Sequence, residues 1–251
     1  MNSLEMDADT NQYSPSADTS PPELHGREEI LESAAIALDR VRSGLSAQSL
    51  LLVGLRGVGK TVLLNRIAWE AEARGFITVS VETSKDKSLP ATLVSPLHAA
   101  LHRLDKVVAT GGLAKHALRV LGGFVCATKV KYHDIEFDIA LEEEPATADS
   151  GNLEHDLIDL FLEVGRASRE IGTAIVFCID NLQHLEAEQF AALIAALHKC
   201  AQLQLPVALI GAGPRELVGN AGRAKSYAER LFKYPEIEPW ISLNISPIIR
   251  N

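Results

Sequence analysis

The chain has 251 residues, is 47% hydrophobic but only 5% aromatic, and carries a formal net charge of −9. It can bury one sizeable core made mostly of Leu, Ile, Val and Ala, a usage that suits helices laid on a largely parallel sheet. The acidic balance argues against broad, non-specific binding to nucleic acid or an anionic membrane, and no apolar run is long enough to span a bilayer.

Residues 1–22 (MNSLEMDADTNQYSPSADTSPP) are polar and aperiodic, which predicts a disordered tail. Order is expected from HGREE onward, in a helix whose stripe is Ile30, Ala34, Ile36 and Leu38 and which Gly44 ends. Residues 50–53 read as a buried strand, 61–74 as a helix stopped by Gly75, and 76–82 as an alternating strand. Helices are predicted over 90–104 and, more briefly, over 113–121 between two Gly pairs. An extended segment follows over 129–141 and a solvated acidic loop over 142–152, so that 129–151 reads as an insertion.

An amphipathic helix over 153–171 presents Leu157, Leu160, Phe161 and Val164 on one face. After it come a buried strand over 174–179, a helix over 187–202, a strand over 206–211 and a helix over 226–232. One more strand can form in the final PWISLNISPIIRN. Strands alternating with helices predict an α/β domain over 23–247, a three-layer sandwich with a mostly parallel central sheet. Cys126, Cys178 and Cys200 are scattered with no C-x-x-C pair, and no basic-then-apolar leader is present. The expectation is reduced thiols in a cytoplasmic protein.

The stretch GLRGVGKT, residues 54–61, satisfies every position of G-x-x-x-x-G-K-[ST] and lies between a strand and a helix. Gly54, Gly57 and Gly59 leave room for a phosphate to approach backbone N–H groups, and Leu55, Arg56, Val58 and Val62 complete the loop and the first helical turn. The helix start adds its positive dipole end. Lys60 is expected to reach the β/γ-phosphates of a nucleotide, and the Thr61 hydroxyl to hold Mg²⁺. A magnesium nucleotide also needs a carboxylate at the end of an apolar strand, and IVFCID supplies Asp180. An Asp alone would read as a loop start; beside a complete phosphate loop it becomes the second metal residue.

Between the two motifs in sequence lies at least the strand at 76–82. Small-molecule kinases usually set the two motif strands side by side, whereas a strand inserted between them marks ATPases that couple hydrolysis to motion. Through HGREE, GLRGVGKT, IVFCIDNLQHL, PVALIGAG and AKSYAERLF, the chain resembles the AAA-like P-loop ATPases, in particular the prokaryotic branch near the origin-initiator and STAND-type NTPases. The resemblance covers roughly residues 25–237 and implies ATP and Mg²⁺ as cofactors. Relatives follow the strand-ending Asp with a Glu, in a D-E-x-Q pattern, and that Glu polarises the attacking water.

Here the sequence reads Asp180-Asn181-Leu182-Gln183. Asn181 can orient a water but cannot take its proton. Glu186 and Glu188 fall in the next helix and read as solvated. Where relatives keep a polar γ-phosphate sensor, Gly211, Ala212 and Gly213 offer only backbone, with Arg215 just beyond. Arg230 matches a position where relatives carry an arginine that senses the γ-phosphate, in cis or across a subunit interface. Arg27 reads as structural, tying the first helix to the edge of the site.

His98 and His102 share a helix face but lack a third metal ligand, and Lys225, Arg230 and Lys233 are too few for a nucleic-acid surface. The resemblance also implies a helical lid and often a winged helix after the last strand. Nothing in PWISLNISPIIRN can form either, so a minimal core is expected, completed by a protein partner or by self-association. Three functions stay open: an ATPase or ATP-driven switch, a nucleotide-binding module without hydrolysis, and a P-loop kinase.

Overall fold

A computed structural model of the chain describes residues 26–107, 112–128 and 147–239. The expected tail at 1–22, the extended segment at 129–141, residues 142–146 of the acidic loop and the strand expected in the final residues lie outside the described residues. Eight α-helices and six strands alternate through the described parts.

The first helix, α1 (Glu28–Arg42), carries acidic residues in its first turn and basic ones in its last, which matches the helix dipole. Ala34 and Leu38 are buried on it, with Ile30, Leu31, Ala37 and Val41 beside them. Ile36, assigned to the stripe from sequence, is 54% exposed. Its 100° steps put it off the face that Ala34 and Leu38 share.

Strand β1 (Ser49–Gly54) leads into α2 (Lys60–Ala73), and Gly75, at φ +81°, turns the chain into β2 (Ile77–Glu82). Helices α3 (Leu89–Val107) and α4 (Gly112–Ala127) follow. Helix α4 runs through Gly122 and Gly123, where the sequence suggested an end. Leu121, Phe124 and Val125 are buried around that pair, so core packing overrides the poor helix propensity of Gly.

Before α5 (Leu153–Glu170), the exposed end of the loop is tied to the helix by hydrogen bonds. The buried Asp156 carboxylate accepts from the Ser150 amide at 2.9 Å, the Ser150 hydroxyl at 2.6 Å and the Gly151 amide at 3.0 Å. Asn152 caps the helix by accepting from the His155 amide at 3.0 Å.

Strand β3 (Ile175–Asp180), a short 3-10 turn at Leu182–His184, α6 (Ala187–Gln202) and β4 (Val207–Gly213) complete the centre. An additional helix, α7 (Leu217–Ala224), precedes α8 (Ala228–Leu231). The sequence reading missed α7, whose buried Leu217 and Ala221 are four apart and separated by Val218, Gly219 and Asn220. Two short pieces, β5 (Phe232–Lys233) and β6 (Glu236–Ile237), close the sheet.

Every pairing is parallel, and the strand order is β2-β3-β4-β1-β5, with β6 also on β1. Phe232 pairs with Ser49 and Ile237 with Gly54, so β5 and β6 flank the two ends of one β1 edge, interrupted at Pro235, where an edge tolerates a missing N–H. The strand between the two motif strands is therefore β4, while β2 lies outside β3.

Side chains alternate across the sheet as the pleat requires. Leu51, Val53, Ile175, Phe177, Ile179 and Leu209 meet α3 to α7 on one face, whereas Leu50, Leu52, Val176, Cys178 and Ile210 meet α1 and α2 on the other. The result is a three-layer sandwich. Phe161 of α5 stacks on Phe177 of β3 with ring centroids 4.5 Å apart, which fixes the strand that ends in Asp180.

Candidate functional site

At the carboxyl end of the sheet, β1 ends at Gly54, and the loop to α2 turns through Gly57 at φ +81° and Gly59 at φ +89°. Both angles favour glycine. A Cβ on Gly54 would lie 2.4 Å from the Ile237 carbonyl oxygen, so β6 crowds the loop's first residue. Val58 is buried, while Leu55 is 53% exposed and Arg56 is also exposed.

Helix α2 begins at Lys60 with no side-chain cap and no acidic residue in its first turn. Its positive end is left for an anion. The Lys60 ammonium donates to the Gly54 carbonyl at 3.0 Å and the Leu55 carbonyl at 2.6 Å, curling over the loop. Burial lowers its pKa below the usual lysine value, and the Asp180 carboxylate opposes that shift. Val62 follows in the first turn of α2.

Thr61 donates to Asp180 Oδ2 at 2.5 Å, while Asp180 Oδ1 accepts from the Asn181 amide at 2.7 Å. Asp180 is 7% exposed and lies two strands from β1, so the loop reaches it across the end of β4. A hydroxyl and a carboxylate facing each other are hard oxygen donors of the kind Mg²⁺ takes alongside phosphate oxygens and water. Among the described residues no group of three or more His, Cys, Asp or Glu side chains forms a metal cage.

Asn181 sits at φ +56°, ψ +36°, a left-handed conformation that Asn tolerates better than most residues. Its Nδ2 donates to Glu82 Oε1 at 2.7 Å, and its Oδ1 accepts from Gln183 Nε2 at 3.2 Å. Thr83 donates to the main-chain oxygens of Asp180 at 3.1 Å and Asn181 at 2.6 Å, tying the ends of β2 and β3 together. Sequence reasoning passed over Glu82 and Thr83. The available signal was a carboxylate at the end of a strand, whose meaning depends on pairing with β3.

Glu186 and Glu188 lie exposed at the start of α6, as expected of solvated residues. The end of β4 is occupied by Gly211, Ala212 and Gly213. A Cβ on Gly211 would meet Leu182 at 2.4 Å and Leu51 at 2.7 Å, so packing excludes a side chain there. Arg215 is ion-paired with Glu236 at the same sheet edge. Arg27 is buried and donates to the Glu238 carbonyl, just beyond the strand that crowds Gly54.

Arg230 is placed elsewhere. Its carbonyl accepts from Gln48, and the strand after it starts opposite Ser49, at the amino end of β1. The length of β1, roughly 17 Å at strand rise, separates that end from Gly54, so the fold does not bring Arg230 to its own chain's phosphate loop. Lys225 is paired with Glu154 at 2.9 Å and so belongs to no open basic patch. His98 and His102 approach each other at 3.1 Å, with no third ligand among the described residues. No helix among the described residues is long and apolar enough to cross a membrane.

The profile of the family described as the AAA ATPase domain matches residues 23–210, well over half of the chain. The chain belongs to this family. No curated protein matches it significantly.

Among solved structures, this AAA ATPase domain is similar to Cdc6p from Pyrobaculum aerophilum, at 15% identity and TM-score 0.51, over 87% of this chain and 47% of that one. It is also similar to the Aeropyrum pernix ORC2 protein, solved as ADPNP–ADP complexes, at 14% identity and TM-score 0.51, over 88% of this chain and 49% of that one. The A. pernix ORC1 protein in complex with DNA gives 15% identity and TM-score 0.46, over 89% and 48% of the two chains. The chain thus spans about half the length of these proteins, and at such identities the first two speak for the fold alone. The expected likeness to AAA-like ATPases holds through the family match, the likeness to the first two initiator structures is one of fold, and the P-loop α/β fold holds as well.

Proposed function

We propose that this AAA ATPase domain binds ATP with Mg²⁺ at the loop of residues 54–61 and acts as an ATPase or an ATP-dependent switch. The observation that carries the reading is the Thr61–Asp180 contact of 2.5 Å. It joins a glycine-turned loop, an uncapped helix start and a buried strand-end carboxylate into one oxygen-lined site. Loop N–H groups and Lys60 would cradle the phosphates, Thr61 and Asp180 would hold the metal, and Gly54, Leu55, Arg56, Gly57, Val58, Gly59 and Val62 would line the nucleotide. The metal, when bound, neutralises charge that builds on the phosphate oxygens.

The inserted β4 supports the switch reading over a small-molecule kinase. Asn181 supports a second reading, a binding module without hydrolysis. Arg230, remote from its own loop, suits a role toward a neighbouring copy, and self-association or a protein partner remains part of the proposal. Preference for adenine over guanine rests on the family.

The test is an ATP titration with and without Mg²⁺ on the wild type and on Asp180→Asn. The reading expects tighter binding with Mg²⁺ in the wild type and loss of most of that gain in the variant. Identical Mg²⁺ dependence in the two proteins would remove Asp180 from the site.

A further inference from the structure

We propose that Glu82 is the general base of this site, taking the proton of the attacking water, and that Asn181 positions it. The inference rests on the reading of the site as one that binds ATP and water together. Glu82 ends β2 and is the register partner of Asp180 on β3. Adjacent strands lie about 4.8 Å apart, so two carboxylates stand side by side at the sheet edge that the phosphate loop overhangs. Asp180 is turned to Thr61 and the Asn181 amide. Glu82 is turned to the Asn181 side chain at 2.7 Å.

That side chain is oriented from both ends. Gln183 donates to its oxygen, which leaves the Nδ2 group for Glu82; flipping the amide would set oxygen against carboxylate and nitrogen against nitrogen. The bond holds one Glu82 oxygen and leaves the other for a water. Thr83, the next residue, bonds to the main chain at Asp180 and Asn181, which fixes the end of β2 relative to β3.

The left-handed backbone at Asn181 fits the same picture. An Asn adopts φ +56° at small cost, whereas a Glu there would be strained. The carboxylate that hydrolysis needs is therefore offered by the neighbouring strand, and the residue after Asp180 becomes its donor. Glu186 and Glu188 have no such tie: they lie beyond the 3-10 turn, exposed at the start of α6.

In the step itself, the water oxygen bonds to the γ-phosphorus while a Glu82 oxygen accepts the water's proton. The bond from γ-phosphorus to the β,γ-bridging oxygen breaks, and its electron pair leaves on ADP. The proton then passes from Glu82 to solvent, giving ADP, inorganic phosphate and a proton from ATP and water.

The experiment measures ATP affinity and single-turnover hydrolysis separately, on the full chain, for wild type, Glu82→Gln and Asn181→Ala. Glu82 is exposed at a strand end, so the Gln variant should fold. The expected result is wild-type turnover, a Glu82→Gln rate lower by about a hundredfold or more at ATP affinity within about twofold, and a smaller rate loss, also without an affinity loss, in Asn181→Ala. A Glu82→Gln rate equal to wild type at full occupancy would overturn the proposal and leave ATP binding standing. Wild-type binding without turnover would overturn it too, in favour of the non-hydrolysing module. A wild type that binds no ATP would end both readings, and the affinity arm alone reveals that case.

Discussion

Burial pushes the thiols of Cys178 and Cys200 up to about 12, whereas Cys126 is exposed. The thiolate is the reactive form, so the two buried residues are inert at neutral pH by both protonation and access. Iodoacetamide at pH 8 is expected to label Cys126 alone in the folded chain and all three residues in denaturant, as counted by intact mass. Early labelling of Cys178 would contradict the packing of β3 against α2. The same shifts set a pH window. A thiol raised above its ordinary 9.0 contributes stability that is complete below pH 9 and is lost as pH rises toward about 12.

At this scale the candidate phosphate loop could be proposed from sequence because its features are local: eight consecutive residues make the glycine turns, the helix start and the lysine. Asp180 was legible because an acid at the end of IVFCID stands out against its apolar strand. Glu82 was not legible. Its partner is 99 residues away, and only strand register makes them neighbours.

Among the elements, β6 shows how a two-residue strand can matter to the site. It pairs with Val53 and Gly54, and its Ile237 carbonyl oxygen fills the space where a Cβ on Gly54 would stand. Arg27 anchors the next residue, Glu238, from the base of α1. Gly54→Ala must therefore displace main chain rather than a pliable side chain. A loss of about 1–3 kcal/mol is expected, read as a lower denaturation midpoint at unchanged m-value, together with weaker nucleotide binding. Wild-type stability in that variant would mean that β6 does not lie against the loop in solution.

Elements with clean periodicity, such as α5 and α6, could be placed from sequence to within a residue or two. Those missed were α7, whose glycines hide a buried Leu217–Ala221 pair, and the true length of α4, which tertiary contacts hold through two glycines. Also missed were β5 and β6, within 232–237, which are too short for alternation to show.

Over the whole molecule, the two hydrophobic faces of one parallel sheet hold the phosphate loop on β1 and the acidic strand ends of β2 and β3 along a single edge. Alternating strands and helices foretold the sandwich. They could not foretell that β4 would be the inserted strand, because strand order in space depends on which crossovers the helices cover. Nor could they place Arg230 at the far end of β1.

The central claim is that this edge binds Mg-ATP through Lys60. The measurement that tests it most directly is calorimetric titration of Mg-ATP into wild type and Lys60→Ala. Removing a charge-assisted phosphate contact should weaken binding by roughly tenfold to a hundredfold, with the variant still folded. In the same samples, ATP at a hundred times its Kd should stabilise the wild type by about 2.7 kcal/mol. Equal affinity in the two proteins, or no heat of binding in the wild type, would contradict the account.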